Sequence, residues 1–287
     1  MNHVPGRTIS SHPPSAAQFM NPVEMLKCLY ASRELIRQFT WREVIGRYKG
    51  TYFGVIWSVV NPLMMLLVYS LVFGVILKAR FGNDPSQGNL YFAMNLFCGL
   101  LLYEVFSGCV LRASTLILAN VSYVKRVVFP LEILPVAVLG ANLFNAALGF
   151  AILLPFIIGY SLKFSLSMFL FPLVLIPLCA LTLGLSWFLA SLGAFVRDIG
   201  QPLAVFIQLF FFISPIIFPL AATPESLRTF MRLNPFTTIM EDARATLILG
   251  EPPQWEWWAL VTFFSLVLMQ LGYVWFMKSK RAFADVI

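Results

Sequence analysis

Apolar residues run along this chain in long uninterrupted blocks, and the short polar breaks between them set its organisation. The first block grows out of a charged stretch. Arg42, Glu43, Arg47 and Lys49 are interleaved with aromatic and aliphatic residues, and from Tyr52 to Leu77 no ionisable group occurs except tyrosine. At about 1.5 Å per helical residue such a segment crosses a hydrocarbon core roughly 30 Å thick. The pattern predicts six membrane-spanning helices, at about 53–77, 90–118, 133–160, 166–195, 202–220 and 257–277. Before the first of them, residues 22–49 alternate Leu26, Leu29, Leu35, Ile36 and Phe39 with Lys27, Arg33, Arg37 and Arg42. That is an amphipathic helix lying along the membrane interface, its cationic side toward anionic headgroups.

The breaks carry their own signals. Residues 1–20, rich in Ser, Pro and His, read as a flexible tail. Asn120–Pro130 places Lys125-Arg126 among valines before a proline stop, a short amphipathic helix in the loop between spans two and three. Arg197-Asp198 interrupts spans four and five, with Asp198 placed to cap the helix starting near Pro202. Residues 221–256 are too polar for a span. Thr223-Pro224-Glu225 and Asn234-Pro235 each start a short helix there, outside the bilayer core or re-entering from its edge. Trp255, Trp257 and Trp258 form an interfacial anchor for span six. Gly46, Gly50 and Gly54, four apart, either let another helix approach closely or allow a bend at the membrane surface.

Composition agrees, with 59% hydrophobic and 11% charged residues, against about 25% charged in soluble domains. The net charge of +7 does not indicate nucleic acid, because the basic residues flank apolar runs instead of forming one polar face. Thirteen basic residues fall on the side of the termini and six on the other, which puts both termini in the cytoplasm. The four cysteines are isolated and both histidines lie in the N-terminal tail, so no metal site and no catalytic constellation is expected. No Gly-Lys dipeptide occurs, hence no P-loop; any ATP belongs to another chain. No internal repeat is visible, which weighs against inverted-repeat carriers. Glu104 and Arg112 interrupt the second apolar run. Intramembrane ionisable residues face protein or water, although Arg112 can also snorkel to the cytoplasmic edge.

The order of motifs from about 35 to 280 resembles the permease subunits of type-2 ABC exporters, in the branch that exports bacterial polysaccharides such as O-antigen, capsule and teichoic acid. The matching pieces are Arg47-Tyr48-Lys49, Gly54, Trp57, Asn61-Pro62, Lys125-Arg126 with Phe129-Pro130, Arg197-Asp198-Ile199, Ser214-Pro215-Ile216, and Asn234-Pro235-Phe236 followed by Arg244. The resemblance implies an all-α transmembrane domain over 21–287, in a homodimer carrying two separate nucleotide-binding subunits. ATP and Mg2+ sit on those subunits, and this chain needs no cofactor. It implies that 22–49 is an interface helix and 120–130 a coupling helix. Arg42, Arg47, Lys49, Lys125, Arg126, Arg197 and Asp198 are then the residues facing the ATPase, where Lys125 and Arg126 either dock into it or serve as a positive-inside anchor. It further implies an aromatic-lined channel for a lipid-linked glycan. Phe53, Trp57, Tyr69, Tyr103 and Phe106 are its candidate walls, each equally compatible with a lipid-facing or core place. Two alternatives stand beside this reading. One is a type-2 permease for another cargo, a drug or lipid. The other is a membrane enzyme acting on lipid-linked sugars, for which Glu241-Asp242 is the sole adjacent acidic pair.

Overall fold

The computed structural model describes residues 19–76, 81, 88–125, 129–161 and 165–286. The tail expected over 1–20 therefore lies almost wholly outside the described residues. Those residues fold entirely as helices and connecting turns. Asn21 opens α1 (Pro22–Ala31), its side chain accepting from the Val23 N–H, with Pro22 in the first turn, where its missing N–H has no cost. Ser32 breaks the run, and α2 (Arg33–Tyr48) continues it along the N-terminal half of α6 (Ile133–Ser161). The chain then turns through Gly50 and Gly54, at φ 87° and 53°, a region that a side chain disfavours. A Cβ at Gly46, Gly50 or Gly54 would meet nothing within 4 Å. Within this chain Gly50 and Gly54 make a bend and Gly46 lies inside α2, and none of the three is at a close helix crossing.

After the bend, α3 (Trp57–Tyr69), with Pro62 inside it, continues as π-helical turns over Ser70–Ile76. It leans on the rest of the molecule only lightly. Its most apolar window is 6% buried, against 78% for α4 (Asn89–Leu116). The α4 helix is the core. It buries side chains on every face, from Phe92 and Met94 through Leu102 and Val105 to Ala113 and Leu116, as an all-round apolar helix must. Against it pack α6 and α7 (Phe171–Phe195), and α11 (Trp255–Ser279) packs on α7.

Small residues set the spacing in this bundle. A Cβ on Gly184 of α7 would meet the backbone of Leu268 and Met269 at 2.7 Å, and one on Gly272 of α11 would collide with the Gly184 carbonyl. Likewise a Cβ on Gly193 would collide with the Ser114 carbonyl of α4. These are backbone-to-backbone contacts of the kind that dispersion and close approach supply where lipid removes the hydrophobic drive between helices.

Among the described residues, five helices are long and apolar enough to cross a membrane. They coincide with five of the six expected spans. The expected fifth span, 202–220, is instead α8 (Gly200–Ile213), 14 residues and about 21 Å long. It stops at Ser214, which is extended (φ −91°, ψ 145°), because Pro215 excludes the residue before it from helical geometry. The chain then makes a 3-10 turn at Leu220–Ala222 and two short helices, α9 (Glu225–Arg232) and α10 (Pro235–Arg244). Asn234 starts α10 by accepting from the Phe236 N–H. Gly250, at φ 76°, closes the segment. Both short helices sit at the end of the bundle where α4 and α11 begin, away from the C-terminus.

Candidate functional site

Three polar regions interrupt the apolar bundle. At the end that carries the chain's C-terminus, α2 is tied to the loop after α4. Arg42 donates to the Tyr123 hydroxyl (3.0 Å) and to Asn120 Oδ1 (3.1 Å), and its guanidinium lies 4.0 Å above the Phe39 ring. Asn120 and Tyr123 flank and belong to the one-turn helix α5 (Val121–Val124), and Tyr123 stacks in turn on Phe129. Arg47 donates to Asn142 Oδ1 (2.8 Å) and Tyr48 to Asn145 Oδ1 (3.2 Å), fastening α2 to α6. Burial pushes the Tyr48 phenol above its ordinary range. Arg112 pairs with Glu43 at 3.4 Å. It therefore faces α2 instead of extending away from the chain, and being partly exposed the pair stabilises little. Arg42, Glu43, Arg47, Arg112, Asn120 and Tyr123 border an open polar cleft of about 540 Å3.

Lys49 ends α2 and Lys125 ends α5, both exposed; Arg126 lies outside the described residues. Arg197 and Asp198 are exposed in a 3-10 turn between α7 and α8. The capping role expected of Asp198 is corrected: the residue preceding α8 is Ile199, and no side chain caps that helix. The Arg197–Ile199 turn runs straight into α8, so the chain never adopts the extended step that a capping aspartate needs.

The second region is a groove beside α3. Its first part, about 410 Å3, is bordered by Arg47, Tyr48, Trp57, Asn61, Glu104 and Asn145. Its second part, about 430 Å3, is bordered by Met65, Tyr69, Tyr103, Glu104, Gln208 and Phe211. Glu104 belongs to both and joins them. Trp57, Tyr69 and Tyr103 thus line one continuous face with an acidic side chain midway. Tyr103 is fixed there by donating to the Ile207 carbonyl (2.7 Å) and by an edge contact with Phe211. Phe53 is exposed beside Trp57, ring centroids 5.8 Å apart, outside the groove. Phe106 is buried within the chain against Phe210 and Phe236, because its side of α4 faces α8 and α10.

The third region, at the opposite end, centres on Arg244, which is 3% exposed. Its guanidinium donates to the carbonyls of Asn95 (3.2 Å), Pro215 (2.8 Å) and Ile216 (2.9 Å) and to Glu241 Oε1 (3.1 Å), above the Phe81 ring. The break after α8 leaves the Pro215 and Ile216 carbonyls without helical partners, and one planar five-donor group collects them together with the Asn95 carbonyl of α4. Next to it Asp242 accepts from the Gln254 N–H (3.0 Å). Burial pushes its carboxyl up to about 6.

Sequence reasoning missed one structural pair. Glu132, fully buried at the head of α6, accepts from Lys280 Nζ (2.6 Å), and its carbonyl accepts from the buried Trp187 indole (3.0 Å). The signal was a lone acid directly before an apolar run. Its partner, 148 residues away, could not be read from the chain.

The sequence profile described as "ABC-2 type transporter" matches residues 34–248. The chain is 29% identical to the O-antigen export system permease protein RfbA of Myxococcus xanthus over 267 residues, 92% of this chain and 100% of that one. It is 25% identical to an O-antigen export system permease protein RfbA of Klebsiella pneumoniae over 259 residues, covering 88% and 95% of the two chains. It is also 25% identical to the polysialic acid transport protein KpsM of Escherichia coli, over 80% of this chain and 88% of that one.

Proposed function

The chain belongs to the ABC-2 type transporter family, and from that premise we propose that it is the membrane permease of an ATP-driven exporter moving a lipid-linked polysaccharide, O-antigen foremost. The observation that carries this reading is the end-to-end similarity to an O-antigen export permease. In this reading two copies of the chain assemble with two nucleotide-binding subunits in the bacterial cytoplasmic membrane, both termini cytoplasmic. Capsule-type polysaccharide is the second cargo, favoured by the similarity to a polysialic acid transport protein.

The chemistry of the groove suits that cargo. A sugar ring has apolar C–H faces and a rim of hydroxyls. Trp57, Tyr69 and Tyr103 offer flat surfaces for the faces, and Glu104 and Asn61 offer acceptors for the rim. Because α3 packs so lightly on its own chain, the groove is open on one side, and a second copy closing it would complete a passage. The inner cleft supplies a mechanical route. A partner pressing on Lys125 and the 120–130 segment moves α2 through Arg42, and α2 moves α6 through Arg47–Asn142 and Tyr48–Asn145.

Deleting the gene should abolish the surface polysaccharide and leave lipid-linked glycan accumulated on the cytoplasmic side while its synthesis enzymes stay active. Full surface polysaccharide in a strain with no other exporter would overturn the cargo and pass the role to a drug or lipid. The purified chain alone should neither bind nor hydrolyse ATP, measured with a labelled nucleotide. Stoichiometric binding without a partner subunit would sink the permease reading.

A further inference from the structure

The end of the bundle that holds Arg244 contains a pocket that the groove and the cleft leave unused. It measures about 200 Å3 and is walled by α9, α10 and the start of α11. That is smaller than the roughly 300–1,000 Å3 of a site engulfing a drug-sized molecule, so it suits one compact polar group. Two of its buried side chains each hold one polar atom without a hydrogen-bond partner among the described residues. Asp242, 2% exposed, uses Oδ1 for the Gln254 N–H, while its Oδ2 has no hydrogen-bond partner among the described residues. Thr237, 1% exposed and five residues earlier on α10, has its hydroxyl in the same condition. Buried polar atoms are almost always bonded, so the pocket asks for a hydrogen-bond donor with several N–H or O–H groups.

The remaining wall narrows the chemistry. Arg228 and Arg232 border the same pocket from α9, giving it a cationic side opposite the acidic one. Arg228 is held in place by donating to the Thr223 carbonyl (3.0 Å). Glu241, the other acid of the wall, is engaged with Arg244. A ligand that answers both sides carries a cationic donor and an anion a few bonds apart. The surroundings are apolar and membrane-like. Trp257 lines the mouth, Trp255 is exposed two residues away, and Leu227 and Phe230 stand exposed on α9 between and beside the arginines. Aromatic belts of this kind sit at headgroup level.

We propose that this pocket holds the headgroup of a phosphatidylethanolamine-type lipid, its ammonium on Asp242 and Thr237 and its phosphate on Arg232. A primary ammonium brings three N–H donors, enough for Oδ2 and the threonine hydroxyl together. A choline headgroup brings none, so the pocket discriminates between two lipids of equal charge. The phosphate meets Arg232 as a charge-assisted pair, and the acyl chains lie over Trp257 and the apolar face of α9. This site stands apart from the transport reading, since it concerns lipid held at the periphery and would exist whatever the cargo.

The test uses the full chain in nanodiscs of phosphatidylethanolamine, phosphatidylcholine and phosphatidylglycerol in equal parts, with retained lipid counted by native mass spectrometry. The expected result is one phosphatidylethanolamine retained per chain in about tenfold preference over phosphatidylcholine, the size of one well-formed charged contact. Asp242→Asn should erase that preference. The variant keeps the Oδ1 acceptor for Gln254 and removes a buried charge, so it should fold, and an unchanged unfolding midpoint verifies this. Arg232→Ala, at an exposed side chain, should lower retention independently. Equal retention of both lipids by the native chain, or the same preference in Asp242→Asn, overturns the proposal. So does displacement of the lipid by soluble polysaccharide, which would make the pocket a glycan site.

Discussion

Replacing Arg244 with alanine should cost most of the permease's stability, on the order of 3–5 kcal/mol, and with it the exported product. The reason lies in what the guanidinium holds. The carbonyls of Pro215 and Ile216 are freed where α8 stops, and the Asn95 carbonyl receives the fork from α4. Without Arg244 the Pro215 and Ile216 carbonyls stay buried and unpaired, at about 1–3 kcal/mol each before relaxation, while the Asn95 carbonyl keeps its bond within α4. Glu241 loses its partner as well. Arg244→Lys should fall between the two, because a point charge cannot reach three carbonyls in the fork geometry. Thermal unfolding in detergent, read beside the level of membrane-inserted protein, gives the answer. An alanine variant with the native midpoint would show that the break after α8 is held by other contacts.

The second large effect is expected at the crossing of α7 and α11. Gly272→Ala should lower the unfolding midpoint sharply, and Gly272→Leu should leave no folded bundle. A new Cβ at Gly272 collides with the Gly184 carbonyl, and one at Gly184 meets the Leu268 and Met269 backbone. Backbone atoms inside two helices cannot swing aside as a side-chain end would, so the helices must separate. Overpacking of this kind costs about 1–3 kcal/mol, and more where the obstacle is rigid. Gly46→Ala is the matched control. It lies in α2 with nothing within 4 Å of its Cβ, and alanine is the better helix former by about 1 kcal/mol. If Gly272→Ala and Gly46→Ala behave alike, the close crossing is not what sets the spacing of the bundle.

The sequence by itself determined that this is a polytopic helical membrane protein, because the length of an apolar run and the spacing of its charges are local quantities. Five of the expected spans follow from that alone, as does the amphipathic stretch that became α1 and α2. The motif order was also enough to place the chain beside polysaccharide exporters, since it needs no knowledge of contacts. The aromatics Trp57, Tyr69 and Tyr103 were legible as wall candidates by type. That they share a face with Glu104, while Phe106 turns into the core, depends on how α3, α4 and α8 are rotated about their axes. In spans that are apolar all round, no periodicity records that rotation.

Only the tertiary structure decided the pairings across the chain. Arg42 meets Asn120 and Tyr123, Lys280 meets Glu132, and Arg244 meets carbonyls from two distant segments. Each partner is a side chain or backbone atom whose neighbourhood is set by helix packing rather than by sequence distance. The same holds for the early end of α8. The expected span ran through Pro215 to 220, and whether the chain could leave the helix at Ser214 instead rested on whether the freed carbonyls had another donor. The bundle supplied one in Arg244, and a polar group that must be satisfied inside an apolar medium can only be settled by what is near it in space.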